Sequence, residues 1–264
     1  MQQNPIGLFD SGIGGTSIWK EITALLPSEN TIYLSDSKNA PYGQKSKEQI
    51  LNICINNTEF LLKQNCKLIV VACNTATTNA IKYLRAHYKI PFIGIEPAIK
   101  PAALKTKTNI VGVLATKGTL NSDLFEKTSS KIDTNVKIIE QIGEGLVELI
   151  EDGKLDSKEM ESLLKSYINP MLDKNVDCLV LGCTHYPYLV PQIRKIAGDK
   201  ITIIDSGEAV AKQTKNILNT LDLENQTNLK ASHQFYINTN PKVLEDIINT
   251  NTPKLKTKIN QLDF

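Results

Sequence analysis

Eight short runs of apolar, largely β-branched residues recur along the chain, at 6–9, 31–34, 68–72, 92–95, 110–114, 136–139, 178–181 and 201–204. Segments with helical spacing lie between them, among them 46–62, 77–87, 157–172 and 208–221. A continuous apolar run is what a strand covered on both faces requires. Strands that alternate with helices therefore predict an α/β fold with mainly parallel sheets. Pro41, Pro91, Pro97, Pro101, Pro170 and Pro187 are expected between elements or at their starts, because proline interrupts a helix. The Asn/Lys/Thr-rich C-terminal stretch is expected to fray.

Two of the apolar runs end in the same way. Lys67-Leu-Ile-Val-Val-Ala-Cys-Asn-Thr-Ala76 and Asp177-Cys-Leu-Val-Leu-Gly-Cys-Thr-His-Tyr186 each deliver a cysteine, followed at once by hydroxyl and amide residues. This places Cys73 and Cys183 at the carboxyl ends of strands, where open α/β sheets bind their ligands. The segments Ile6-Gly-Leu-Phe-Asp-Ser-Gly12 and Val111-Gly-Val-Leu-Ala-Thr-Lys117 echo one another upstream of the two cysteines at similar intervals. Two similar halves would each bring one thiol to a shared cleft. A pair of thiols facing one carbon can remove a proton from one side and return one to the other.

The helpers are asymmetric. Asp10 ends the first strand where the second half has Ala115, and His185 follows Cys183 where the first half has Thr75. Asp10 is thus assigned to Cys73 and His185 to Cys183. Helices starting just after the thiols would lower their pKa from about 8.5 toward neutrality. Asp10-Ser-Gly-Ile-Gly-Gly15 fails the dinucleotide pattern, since Ser17 stands in place of its last glycine. What remains is a nest of backbone donors suited to a carboxylate. Pro41-Tyr42-Gly43 reads as a tight turn that adds two amides. With no Arg or Lys in these motifs, a small anionic substrate would be held by Ser11, Asn74, Thr75, Thr184 and amides. Lys117 is the nearest cation. Cys54, Cys66 and Cys178 are read as small core hydrophobes, and His87 and His233 as ordinary core or surface histidines.

Other classes fit less well. The net charge of +2 gives no nucleic-acid footprint, and no apolar stretch approaches the roughly 18 residues of a membrane span. The opening residues lack a leader pattern, and five cysteines without framework spacing suit reduced thiols in a cytoplasm. No metal is expected, because neither C-x-x-C nor H-x-x-x-H spacing occurs.

The runs Phe9-Asp-Ser-Gly-Ile-Gly-Gly15, Ala40-Pro-Tyr-Gly43, Ala72-Cys-Asn-Thr-Ala76, Gly182-Cys-Thr-His-Tyr-Pro187 and Ile204-Asp-Ser-Gly207, in this order, resemble the glutamate racemases of the aspartate/glutamate racemase family. The resemblance implies two pseudo-symmetric α/β domains with the site between them, the first formed by 1–97 plus 208–264 and the second by 98–207. It implies a cytoplasmic, homodimeric isomerase that interconverts L- and D-glutamate with no cofactor and supplies D-glutamate for peptidoglycan. Cys73 would deprotonate D-glutamate and Cys183 L-glutamate, assisted by Asp10, His185 and Glu151. Asp10, Ser11, Tyr42, Gly43, Asn74, Thr75, Thr184 and His185 would contact substrate, with Thr116 and Thr119 as further contacts. The chain departs from the family's usual pattern at Gly15-Thr-Ser-Ile18 and Ser35-Asp-Ser-Lys38. Two rivals stand beside this reading: an aspartate or hydantoin racemase, and a non-catalytic amino-acid-binding protein on the same scaffold.

Overall fold

The structure is a computed structural model that describes residues 2–227 and 229–264, so Met1 of the opening segment and Asn228 lie outside it. The first half runs β1 (Ile6–Asp10), α1 (Thr16–Leu25), β2 (Thr31–Ser35), α2 (Lys47–Lys63), β3 (Leu68–Val71), α3 (Asn74–His87) and β4 (Phe92–Gly94). The chain continues through α4 (Ile99–Lys105), β5 (Ile110–Ala115), α5 (Lys117–Leu120), α6 (Asp123–Ser129) and β6 (Lys137–Ile142). Then come α7 (Leu146–Glu151), α8 (Lys158–Leu172), β7 (Cys178–Gly182), α9 (Val190–Ala197) and β8 (Thr202–Ile204). The last elements are α10 (Gly207–Thr220), β9 (His233–Ile237), α11 (Lys242–Asn251) and β10 (Thr257–Gln261).

All pairings are parallel. One sheet has the order β10-β9-β2-β1-β3-β4 and the other β6-β5-β7-β8. The block β2-β1-β3-β4 and the block β6-β5-β7-β8 share one strand order, so the echo seen in sequence corresponds to repeated topology. β1, β3 and β7 are buried along their whole length, as their unbroken apolar runs require. Among the described residues, no helix is long and apolar enough to cross a membrane.

Two details differ from the sequence reading. The C-terminal stretch does not fray: α11 packs Leu244, Ile247 and Ile248 into the core, and β9 and β10 extend the first sheet beyond β2. Pro170 lies inside α8, in its last turn, where its missing N–H leaves the Ser166 carbonyl without a helical donor. Pro101 sits at the start of α4, as read, in the first turn where the missing N–H has no helical partner to lose. His233 is a buried histidine, as read: Trp19 Nε1 donates to Thr31 Oγ1, which lies 2.9 Å from His233 Nδ1. Burial pulls its pKa down to about 4.

The end of the first sheet opposite the carboxyl ends of its strands is tied by a buried ion pair. Lys67 Nζ lies 2.6 Å from Glu29 Oε2 and also donates to the carbonyls of Gln2 and Leu223. The other Glu29 oxygen accepts the amide of Asn225 at 2.7 Å. These contacts pin the segment after α10 against the loops that open β2 and β3. Removing one partner strands a buried charge, at a cost of about 3–5 kcal/mol. Lys67→Met should therefore lower the melting temperature by roughly 10 °C. The double variant with Glu29→Leu should regain part of that loss in the same thermal melt.

Candidate active site

The two cysteines line one cavity. It is bounded by Ser11, Pro41, Tyr42, Gly43, Cys73, Asn74, Thr75, Thr116, Val147, Cys183 and Thr184. Each comes from a loop at the carboxyl end of a strand or from the start of the helix that follows, apart from Val147 in α7. A wider vestibule adjoins it past Pro41, Gly43 and Thr116, with Gln44, Lys117 and Glu148 on its walls. Lys117 is exposed there. Gln44 Nε2 donates to Glu148 Oε1 at 2.8 Å and bridges the two halves at this mouth.

Cys73 is the N-cap of α3, and its Sγ accepts the amide of Ala76 at 3.4 Å. Its thiol also lies 3.7 Å from Ser11 Oγ. The expected fall in pKa does not occur. Burial pushes this thiol well above its ordinary value and the nearby Asp10 charge pushes it further, against the smaller help of Ala76. Cys183 has a different setting. After it comes a turn and then a 3-10 helix at Tyr186–Leu189, so no α-helix starts at that thiol. Its Sγ lies 3.8 Å from His185 Nδ1 instead.

His185 is fully buried between Cys183 and Glu151, whose Oε1 lies 2.6 Å from Nε2. Burial alone would lower the imidazole's pKa, but the contacts with Cys183 and Glu151 outweigh it and hold the pKa well above the usual value. The amide of Gly14 also points at Nε2, at 3.3 Å. One nitrogen cannot donate to the carboxylate and accept from the amide together. The shorter, charge-assisted contact with Glu151 prevails when the ring is protonated.

The glycine-rich turn explains itself here. A side chain at Gly12 would collide with the Glu151 carboxylate, and one at Gly14 with the His185 ring. The sequence pattern offers these amides to a substrate carboxylate, but the structure gives several to the protein's own acids. Gly12 and Gly15 donate to Asp10 Oδ2 at 3.3 and 2.8 Å, and Ile13 donates to Glu151 Oε1 at 2.7 Å. Asp10 Oδ1 accepts the hydroxyl of Thr184 at 3.2 Å, so Asp10 spans both halves rather than bonding Cys73.

On the other wall, the hydroxyl of Thr75 lies 2.8 Å from that of Thr116 and 3.4 Å from that of Thr119. Both polar atoms of the Asn74 side chain are buried without a partner among the described residues. Such a group costs about 1–3 kcal/mol unless something binds it, and it borders the cavity. Tyr42 is buried rather than part of a surface turn, and its hydroxyl donates to Asp36 at 2.5 Å. Cys54, Cys66 and Cys178 sit in the hydrophobic core away from this cavity, and His87 stacks on Tyr83 at the surface. Among the described residues, no three His, Cys, Asp or Glu side chains converge to hold a metal. Sequence reasoning missed Ser37, whose hydroxyl donates to Glu151 Oε2 at 2.6 Å. A contact between positions so far apart in the chain leaves no local signal.

Burial raises the Asp10 carboxyl to about 6, and His185 only partly offsets this. A carboxyl raised above its unfolded value favours folding while protonated, and that support is lost as pH climbs through about 6. Asp10→Asn should match the parent's stability near pH 4 and exceed it at pH 8 by on the order of 3 kcal/mol. Thermal melts across this range test the sign. A gap that does not widen with pH would contradict the assignment.

Comparison with known proteins places this chain among relatives. The family model for Asp/Glu/Hydantoin racemase matches residues 13–214. A glutamate racemase from Herpetosiphon aurantiacus is 44% identical over 91% of this chain and 95% of its own length. Glutamate racemase isoform RacE1 from Bacillus anthracis superposes with a TM-score of 0.88 at 32% identity, covering 100% of this chain and 99% of that one. The enzyme from Francisella tularensis in complex with D-glutamate gives a TM-score of 0.84 at 30% identity, covering 100% and 98%.

Proposed function

The chain belongs to the Asp/Glu/Hydantoin racemase family, and we propose that it interconverts L- and D-glutamate by passing a proton across the α-carbon between Cys73 and Cys183. It is an isomerase, a glutamate racemase like the relatives it matches. The observation that carries the two-thiol mechanism is the single cavity bordered by both cysteines.

Cys73 takes the α-proton of D-glutamate and Cys183 that of L-glutamate, and the opposite thiol returns a proton to the planar carbanion. His185 accepts the Cys183 proton as an imidazolium flanked by thiolate and Glu151, which the raised pKa of the ring supports. Cys73 needs other help, since burial and the Asp10 charge both disfavour its thiolate. The substrate's ammonium, held beside Asp10 and Ser11, cancels that charge on binding and lets the thiol ionise. The unpartnered Asn74 side chain, Thr75, Thr184 and the Tyr42-Gly43 backbone take the carboxylates, with Thr116 and Thr119 behind Thr75. Neutral donors fixed in a closed cavity need little reorganisation as charge builds on the substrate.

In this reading the domains divide at 1–97 plus 208–264 and 98–207, which the membership of the two sheets supports. The enzyme works in the cytoplasm as a homodimer, without pyridoxal phosphate or metal, and supplies D-glutamate for peptidoglycan. In heavy water, L-glutamate should yield D-glutamate labelled at the α-carbon, unaffected by EDTA. Cys73→Ser or Cys183→Ser should reduce turnover by at least roughly 10²–10⁴-fold, the usual share of one general acid–base group. Wild-type turnover in either variant would sink the mechanism, and faster turnover of aspartate in a chiral assay would reassign the substrate.

A further inference from the structure

The chain of contacts behind Cys183 runs on past Glu151. Ser37 stands in the short 3-10 turn Ser37–Asn39 that follows β2, on the opposite side of the cleft. Its hydroxyl lies 2.6 Å from Glu151 Oε2 and 3.1 Å from Ser35 Oγ. Glu151 is ionised when it faces an imidazolium, so it can only accept, and the Ser37 proton must point toward it. Ser35 then donates to Ser37 and Ser37 to Glu151, so Glu151 accepts from Ser37 on one side and from the His185 imidazolium on the other.

The two oxygens of Glu151 are held differently. Oε1 receives the Ile13 amide at 2.7 Å and faces His185 Nε2 at 2.6 Å, whereas Oε2 has Ser37 as its hydrogen-bonding side chain. The carboxylate also lies against the bare backbone of Gly12. Without Ser37, Oε2 loses its hydrogen-bonding side chain and the carboxyl group is held through Oε1 alone. Both bracing groups, Ser37 and Ile13, come from the first half, while Glu151, His185 and Cys183 come from the second.

From this geometry we infer that Ser37 is a positioning residue for racemisation: it orients Glu151 across the cleft, holds the His185 imidazolium in line with Cys183, and so governs proton transfer on that side of the substrate alone. Cys73 draws on Ser11 and Ala76 and shares none of these contacts. The inference rests on the two-thiol reading above.

Its test exploits the symmetry of the reaction. The enantiomers are equal in free energy, so kcat/KM must be the same from either side and cannot reveal a one-sided defect, whereas isotope effects can. Ser37→Ala should lower kcat about tenfold, the order expected for one charge-assisted hydrogen bond to a carboxylate. The primary isotope effect with α-deuterated L-glutamate should rise as the Cys183 step becomes limiting, while that with α-deuterated D-glutamate should fall. Ser37→Thr, which keeps the hydroxyl, should restore the wild-type pattern and also serves if the alanine variant folds poorly. Isotope effects that stay unchanged, shift equally for both enantiomers or shift in the reverse sense would overturn the inference. A wild-type enzyme that exchanges no α-proton would instead refute the two-thiol reading itself.

Discussion

The site depends on contacts made across the cleft between the two sheets. Glu151 and His185 belong to the second half, yet the amides that face them belong to Ile13 and Gly14 of the first. Asp10 belongs to the first, yet one of its oxygens is held by Thr184 of the second. A catalytic carboxylate buried without these donors would be neutralised by its own desolvation. Contacts across the cleft therefore favour the ionised forms, and each half completes the electrostatics of the other.

That dependence accounts for the glycines better than a ligand-binding loop does. Asp10-Ser-Gly-Ile-Gly-Gly15 resembles a phosphate-cradling turn in outline, but it cradles side chains. Gly12 and Gly14 leave room for Glu151 and His185 to lie on bare backbone, and Gly15 leaves room for Asp10 and Tyr33. At Gly12 and Gly14 the composition is dictated by residues more than a hundred positions away.

The sequence made the interior legible and the margins less so. Strands such as β1, β3 and β7, buried on both faces, announce themselves as apolar runs. β9 alternates buried and half-buried residues, and β10 at the sheet edge reads Thr-Lys-Ile-Asn-Gln with no fully buried position, so neither resembles a core strand. Cys73, Cys183, Asp10 and His185 were legible because strand ends fix where short motifs point. The pKa of Cys73 was not: a helix start lowers it only where solvent or counter-charge remains, and here burial dominates. Ser37 was equally hidden, because its role exists only once the β2 and α7 loops meet.

The repeated topology poses a physical puzzle that the asymmetry of its helpers answers. Two identical halves would place two identical thiols in one small cavity, and each ionised thiol would raise the other's pKa, as Cys183 already does to Cys73. Racemisation needs one thiolate and one thiol at the same moment. Cys183 has an imidazole within the protein as its neighbour, and that imidazole is itself braced by Glu151. Cys73 has no such partner: it lies beside Asp10, whose charge pushes its pKa further up. Ala115 where the first half has Asp10, and Thr75 where the second has His185, thus break the symmetry of the fold at the two thiols, so that their surroundings differ.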